Sequence, residues 1–225
     1  FGCGDTVLQS KMITIGLPVA NFSTADSNIC AGSGIAFTQT TNPKINTLSH
    51  QWIIQHKDSS NITMFGTGSP YFTLFQTPGI YHVTYKAKNG VFCNDSITKN
   101  NYVKVSGVKG SISAIATTGC APSNINFSST IIYNFHYVNP STVVQYLWSC
   151  NPAGNGATSA GYSISNAAAA TTDINFTQNG TYLVYCKFTN SDGCSFIDST
   201  KAIRINIGTE ADFTVYPIFC LNDTG

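Results

Sequence analysis

The chain has 225 residues, of which 11 are Lys or Arg and 10 are Asp or Glu, so that 9% are charged and the net charge is +1. Since about a quarter of the residues are charged in ordinary soluble domains, this composition excludes helices whose surfaces are held by salt bridges. So small a net charge attracts neither phosphates nor anionic lipids, and we expect no nucleic-acid partner and no membrane-surface partner.

Length and residue types favour two extracellular β domains. At about 100–150 residues per domain, the chain is long enough for two domains, which disfavours a single Rossmann or barrel enzyme. It contains 14 Phe, 11 Tyr and 8 Cys but only 2 Met, a composition that favours strands and an oxidising compartment. No apolar run approaches the roughly 18 residues of a membrane span, so we expect no membrane insertion. No signal peptide opens the chain, and we expect a mature or excised part of a longer protein.

Internal repeats organise the chain. Between two cysteines of each full repeat lie one Trp, Trp52 or Trp148, and one Gly-x-Tyr motif that ends at Tyr81 or Tyr182. The cysteines form two sets with spacings of 90 and 100 or 90 and 101 residues: a leading set of Cys30, Cys120 and Cys220, and a trailing set of Cys3, Cys93 and Cys194. The repeats predict the end of one unit at 1–17, whole units at 18–107 and 108–208, and the start of another at 209–225.

Each whole repeat has the pattern of an antiparallel β-sandwich. Tyr81, Val83 and Tyr85 alternate with polar residues, and Ile203 and Ile205 do the same near the end of the next repeat. This period of two is typical of half-buried strands. With one core Trp in an early-middle strand and a Gly-x-Tyr turn before a late strand, the repeats predict an all-β fold of tandem immunoglobulin-like (Ig-like) sandwiches.

Three motifs resemble the PKD-type Ig-like repeats of large surface proteins of Bacteroidota. They are the Ala-x-Phe-Ser/Thr segment at 20–23, the strand with Trp52 or Trp148, and the Gly-x-Tyr segments at 77–83 and 179–184. The resemblance covers the whole chain. It implies a PKD-like fold and a place in the stalk of a very large cell-surface adhesin, exported by type IX secretion and of the kind used in gliding motility.

Repeat register predicts the disulfides. Equivalent positions pair as Cys30–Cys93 and as Cys120–Cys194, each closing a loop of more than 60 residues. By the same register, Cys3 would have its partner upstream of this chain and Cys220 would have its partner downstream.

Two further cysteines, Cys150 and Cys186, occur only in the second repeat. They share the core-facing parity of Trp148 and Tyr182, and their counterparts in the first repeat are apolar. We expect a disulfide between neighbouring strands, with two buried free thiols as the alternative. A zinc site is a third reading, but no Cys-x2-Cys motif supports it.

The sequence lacks the patterns of common catalytic sites. No Gly-x-Ser-x-Gly, His-Glu-x-x-His, Gly-x-Gly-x-x-Gly or P-loop motif occurs, and the four histidines (His50, His56, His82 and His136) have the neighbours of surface residues. We therefore expect no enzyme, no cofactor and no metal. Aspartates such as Asp192 are expected to form turns.

An aromatic insertion at 131–137 is the candidate binding surface. Tyr133, Phe135 and Tyr137 could form a platform for a glycan or a protein partner. The alternative is that this segment covers the core of its own domain.

Three hydroxyl residues match the O-glycosylation acceptor pattern of Bacteroidota, in which Ser or Thr follows Asp. They are Thr6, Ser96 and Ser199, at near-equivalent places in the repeats. A sugar there would shield a sheet edge, whereas the alternative is that each Asp caps a turn.

Two functions are compatible with these patterns. Repetition favours a structural stalk of an extracellular adhesin, whose partners are neighbouring repeats, surface glycans or motility and anchoring proteins of the cell surface. The alternative is a carbohydrate-binding accessory module of a secreted enzyme, which would have a site in one repeat only.

Overall fold

A computed structural model describes the backbone of residues 2, 4, 19–41, 49–89, 93–138 and 141–208, and their side chains except at 89 and 93. Cys3, Thr6, Cys220 and segment 209–225 lie outside the described residues, as does segment 1–17 apart from two glycines. All regular structure in the described ranges is β-strand, which confirms the predicted all-β class. Within these ranges no helical segment has the length and apolar character needed to span a bilayer.

The chain divides into two compact units. Unit 1 comprises Phe1–Lys109, Ile131–Val144 and Phe188–Phe196, and unit 2 comprises Gly110–Thr130, Gln145–Lys187 and Ile197–Gly225. Two segments that the repeats assign to 108–208 are therefore part of unit 1.

Unit 1 is built from two sheets. The first has the strand order β1-β3-β6 and the second has the order β8-β7-β4-β5, with antiparallel neighbours throughout. Strand β2 pairs in parallel with β8. This is the arrangement of an Ig-like sandwich. The strands are β1 (Phe22–Ser23), β2 (Asn28–Cys30), β3 (Gly34–Gln39), β4 (Ser49–His56), β5 (Ser59–Thr67), β6 (Tyr71–Leu74), β7 (Gly79–Asn89) and β8 (Cys93–Ala114).

The core of unit 1 is aromatic. Trp52 on β4 is 0% exposed, and its ring centroid lies 5.3 Å from that of Phe22 and 4.4 Å from that of Tyr85. Along β7, buried side chains from Tyr81 to Ala87 alternate with half-buried ones. The predicted period of two is confirmed.

Unit 2 has the same architecture. Its sheets have the strand orders β12-β13-β10-β8 and β11-β14-β16-β9, with β9 parallel to β16 and β15 paired with β14. Trp148 is 2% exposed, so both predicted core tryptophans are confirmed as buried. The strands are β9 (Thr118–Ala121), β10 (Ser123–Phe135), β11 (Gln145–Gly154), β12 (Tyr162–Ile164), β13 (Thr171–Phe176), β14 (Gly180–Thr189), β15 (Ser195–Ser199) and β16 (Ile203–Ile207).

The Gly-x-Tyr motif forms a tyrosine corner in each unit. The Tyr81 hydroxyl donates to the Thr77 carbonyl oxygen at 2.7 Å, and Tyr182 donates to Gln178 at 3.2 Å. A tyrosine that hydrogen-bonds a few residues upstream at the start of a late strand is a hallmark of Ig-like sandwiches. The motif glycine is required because its φ is +151° at Gly79, where L side chains are strained.

Replacing Gly79 with alanine is expected to lower the free energy of unfolding by about 1–3 kcal/mol. An added Cβ would lie 1.9 Å from Nε2 of the buried His56 ring. Gly68→Ala is the matched control, because Gly68 also has a positive φ but no atom within 4 Å of its Cβ position. Denaturant unfolding separates backbone strain from the clash with His56. If both variants lose the same free energy of unfolding, backbone strain alone is responsible.

Candidate functional site

The leading cysteine of unit 1 bonds to a cysteine far along the chain. Cys30 forms a disulfide with Cys194, with 5.4 Å between the Cα atoms and a sequence separation of 164. The predicted pairs Cys30–Cys93 and Cys120–Cys194 are therefore both wrong. Pairing by repeat register requires each hairpin to return to its own repeat, whereas the segment that carries Cys194 belongs to unit 1.

A rigid turn presents Cys194. In this docking turn, Asn190–Cys194, the buried Asn190 accepts hydrogen bonds on Oδ1 from the backbone N–H groups of Asp192 and Cys194, at 3.1 and 2.9 Å. The Asn190 N–H donates to the Cys194 carbonyl at 3.0 Å, and Gly193 adopts φ +82°. The Asn190 amide also donates to the Phe135 carbonyl at 2.9 Å. The turn thus holds its cysteine in one orientation.

Asp192 joins the docking turn to strand β8. Its carboxylate accepts hydrogen bonds from the hydroxyl of buried Ser106 and from the backbone N–H groups of Tyr137, at 2.7 Å, and Val138. Ser106 lies directly opposite Cys30 in the parallel pairing of β2 with β8. The carboxylate therefore positions the turn beside the cysteine to which it bonds.

Sequence reasoning missed these docking residues. It assigned Asp192 only to a turn, and it did not single out Asn190 or Ser106. The Asn-Ser-Asp-Gly string at 190–193 indicates a turn, but no local pattern shows which surface a turn will contact.

The three aromatic residues of the candidate binding surface are brought together. In this aromatic row the ring centroids of Tyr133 and Phe135 are 5.7 Å apart, and those of Phe135 and Tyr137 are 6.5 Å apart with near-parallel planes. Phe135 is 43% exposed. Together with the strand β4 and β7 ends of unit 1, the row lines a groove of about 330 Å³, whose other lining residues are His56, Asp58, Ile62, Thr77, Pro78 and Gly79.

His56, which lines this aromatic groove, and the neighbouring Tyr81 both have hydrogen-bond partners. His56, expected at the surface, is only 9% exposed, and that expectation is wrong. Its Nδ1 accepts from the Asp58 N–H at 3.1 Å, so its ring proton is on Nε2, 3.3 Å from the Pro78 carbonyl. Burial, and secondly Tyr137, raises the pKa of Tyr81 to about 12, which keeps its hydroxyl a neutral donor.

Cys150 and Cys186 are free and buried, so the disulfide predicted between them is wrong. In unit 1 the equivalent strands place Trp52 opposite Tyr85 and Ile54 opposite Val83. The counterparts of the two cysteines, Ile54 and Tyr85, are thus diagonal neighbours. Diagonal neighbours lie about 7–8 Å apart, with somewhat less between their Cβ atoms, whereas a disulfide requires a Cβ–Cβ distance of roughly 4 Å.

The three free thiols of the described residues are expected to differ in reactivity. Burial raises the pKa of Cys150 to about 12 and, as the largest cause, that of Cys186 to about 11, so both remain protonated at pH 8. Cys120 is exposed. Of these three thiols, only Cys120 should be alkylated by iodoacetamide at pH 8 in the folded protein, and mass spectrometry of peptides reports each site. Equal alkylation of Cys150 and Cys120 would contradict this expectation.

Two of the three glycosylation candidates are described. Ser96 and Ser199 are exposed. The aspartates before them have structural contacts, because Asp95 accepts from the Ala20 N–H at 2.7 Å and Asp198 from the Ile112 N–H at 2.9 Å. Glycosylation at these positions stays a prediction.

No group of three or more His, Cys, Asp and Glu side chains in the described part of the chain is arranged to hold a metal ion.

No protein-family model matches the chain, and no curated protein matches it. Among solved structures, it is similar to murine CEACAM1b (12% identity, 84% of this chain and 100% of that chain, TM-score 0.30). It is also similar to fibronectin(III)-like modules of Clostridium thermocellum CbhA (14% identity, 89% of this chain and 100% of that chain, TM-score 0.32). A third similar structure is from a 1.5-MDa bacterial ice-binding adhesin (12% identity, 88% of this chain and 68% of that chain, TM-score 0.31). TM-scores this low carry no argument, so we base the Ig-like fold on strand order, buried tryptophans and tyrosine corners.

Proposed function

We propose that the chain is a structural, adhesin-like segment of an extracellular protein, made of tandem Ig-like repeats that disulfides fasten to one another. The observation that carries this proposal is the Cys30–Cys194 disulfide, which joins the leading cysteine of one repeat to the trailing cysteine of the next. Such a bond suits an oxidising compartment outside the cell.

The repeat type and the kind of protein to which the chain belongs are proposed from the sequence motifs. We propose that the repeats are of PKD type and belong to the stalk of a very large Bacteroidota adhesin at the cell surface, exported by type IX secretion and serving attachment or gliding. In this proposal the chain has no catalytic activity, its partners are neighbouring repeats, and sugars are attached at Thr6, Ser96 and Ser199. Intact mass spectrometry of native material tests the sugars, since a bare polypeptide mass would exclude them.

Pulling single chains from both ends tests the load-bearing role. While the disulfide is intact, pulling cannot extend the part of the chain between the bonded cysteines, which are 164 positions apart. Because an extended residue spans about 3.3–3.6 Å, reduction should lengthen the fully extended chain by roughly 540–590 Å. Equal extension with and without reductant would contradict the proposal, because the disulfide would then carry no load. Cys120→Ala is the control and should leave both lengths unchanged.

The aromatic groove favours a second candidate, a carbohydrate-binding module. Its three aromatic rings and its volume of about 330 Å³ could accommodate the face of a sugar ring. A glycan panel tests it, with Phe135→Ala compared with Phe65→Ala, since Phe65 is exposed and does not line the groove. Binding that only Phe135→Ala abolishes would favour the module, whereas no binding would exclude it for the glycans tested.

A further inference from the structure

Cys30 and Cys120 hold the same position in the two units. Cys30 lies in a short strand that pairs in parallel with β8, opposite Ser106. Cys120 lies in a short strand that pairs in parallel with β16, opposite Asn206. Cys30 is bonded to Cys194 of the docking turn, whereas Cys120 is an exposed free thiol. One position of the fold is therefore bonded in one unit and unbonded in the other.

In the described part of unit 2, a cavity lies along the strand that pairs with the Cys120 strand. Gly180 pairs with Ile205 in unit 2, and the equivalent Gly79 pairs with Val105 in unit 1. Asn206 and Ser106, each one residue further along, therefore hold equivalent positions. In unit 1 this surface carries the docking turn at Ser106 and the aromatic row beside Gly79. In unit 2 the same surface is a cavity of about 360 Å³, whose lining includes Gly180, Arg204, Asn206 and Ile207.

The chemistry of this cavity complements the docking turn. Asp192 presents a carboxylate, which in unit 1 accepts a hydrogen bond from Ser106. Asn206, at the position of Ser106, carries an amide that can donate in its place. The exposed Arg204 adds a positive charge to the cavity wall, and Ile207, which is 72% exposed, supplies an apolar contact.

We propose that this surface of unit 2 binds the docking turn of a further repeat of the same type, and that Cys120 forms a disulfide with the cysteine equivalent to Cys194. The proposal rests on the proposed function and names the partner of the repeat. Repeats would then be joined serially, each leading cysteine bonding to the trailing cysteine of the following repeat.

Bond formation requires an oxidant of the disulfide class, such as a thiol–disulfide oxidoreductase or oxidised glutathione. The trailing thiolate attacks this disulfide, and a mixed disulfide forms as one donor thiolate leaves. The Cys120 thiolate then attacks the trailing sulfur and expels the second donor thiolate. The two protein thiols lose two electrons and two protons in total, and the donor disulfide becomes two thiols.

The test is an extended chain in which residues 108–208 are repeated once more after Gly208. Cys120→Ser in the added repeat leaves the original Cys120 as the only thiol at this position. After refolding in a glutathione redox buffer, peptide mapping without reduction should show the native Cys30–Cys194 bond and a new bond from Cys120 to the added copy of Cys194. In the unextended chain Cys120 should remain alkylatable.

A variant with Asp192→Ala in the added repeat tests recognition rather than proximity. It should form the new bond with an effective concentration at least about tenfold lower, while the native bond forms as before. If the new bond forms equally well in this variant, recognition of the turn is overturned. If the native bond forms but Cys120 stays fully alkylatable in the extended chain, this inference fails and the proposed function stands. Absence of the native bond would overturn both.

Discussion

Replacing Cys30 with alanine is expected to lower the free energy of unfolding of unit 1 by up to about 5 kcal/mol. The disulfide to Cys194 closes a chain separation of 164 residues, and a loop of that length strongly restricts the unfolded chain. Removing the bond restores that freedom to the unfolded state and therefore favours it.

Denaturant unfolding followed by tryptophan fluorescence measures this loss. A Trp148→Phe background leaves Trp52, which is fully buried in the core of unit 1, as the reporter. Cys120→Ala is the control, because Cys120 is exposed and unbonded in unit 2. A loss below about 1 kcal/mol for Cys30→Ala would show that the bond constrains the unfolded chain far less than loop closure predicts.

Asp192→Ala is expected to destabilise unit 1 by about 3 kcal/mol even with the disulfide intact. The substitution removes the acceptor for the buried Ser106 hydroxyl and for the N–H groups of Tyr137 and Val138. In this half-buried site, the donors that lose their acceptor also lose the free energy of the hydrogen bond, and water does not fully replace the acceptor.

Two comparisons separate this docking role from a simple turn. Asp26→Ala removes an exposed carboxylate that accepts from the Asn28 N–H two residues away, and it should lower the free energy of unfolding by less than about 1 kcal/mol. Asp192→Asn keeps one side-chain oxygen acceptor, so its loss of free energy of unfolding should lie between those of Asp192→Ala and Asp26→Ala. Hydrogen exchange at Tyr137 and Val138 should accelerate in Asp192→Ala, and unchanged exchange there would contradict the docking role.

Local patterns were sufficient to predict the strands and the core. The alternation around Tyr81 and Val83 and the buried Trp52 follow from apolar side chains that must face one side of a sheet. The Gly-x-Tyr motif likewise implied a turn into a late strand, because only glycine tolerates the backbone angle at Gly79.

Pairing of the cysteines could not be read from the same patterns. Repeat register placed Cys30 with Cys93, but equal spacing does not specify which copy of a hairpin reaches which strand. Whether Cys150 and Cys186 lie opposite each other depends on strand register, which places their counterparts Ile54 and Tyr85 diagonally in unit 1 and which a shared parity of side chains does not determine.

The all-β class, the tandem Ig-like repeats and the buried tryptophans follow from the sequence alone, and so does the choice of Tyr133, Phe135 and Tyr137 as one aromatic segment. These features depend on contacts between residues near in sequence or on a period of two. Only the tertiary structure decided that the docking turn joins unit 1, that Asp192 binds Ser106, and that Cys30 bonds to Cys194. Those contacts join residues 86 and 164 positions apart, and they depend on which surfaces fit each other in shape and hydrogen bonding, which no local pattern encodes.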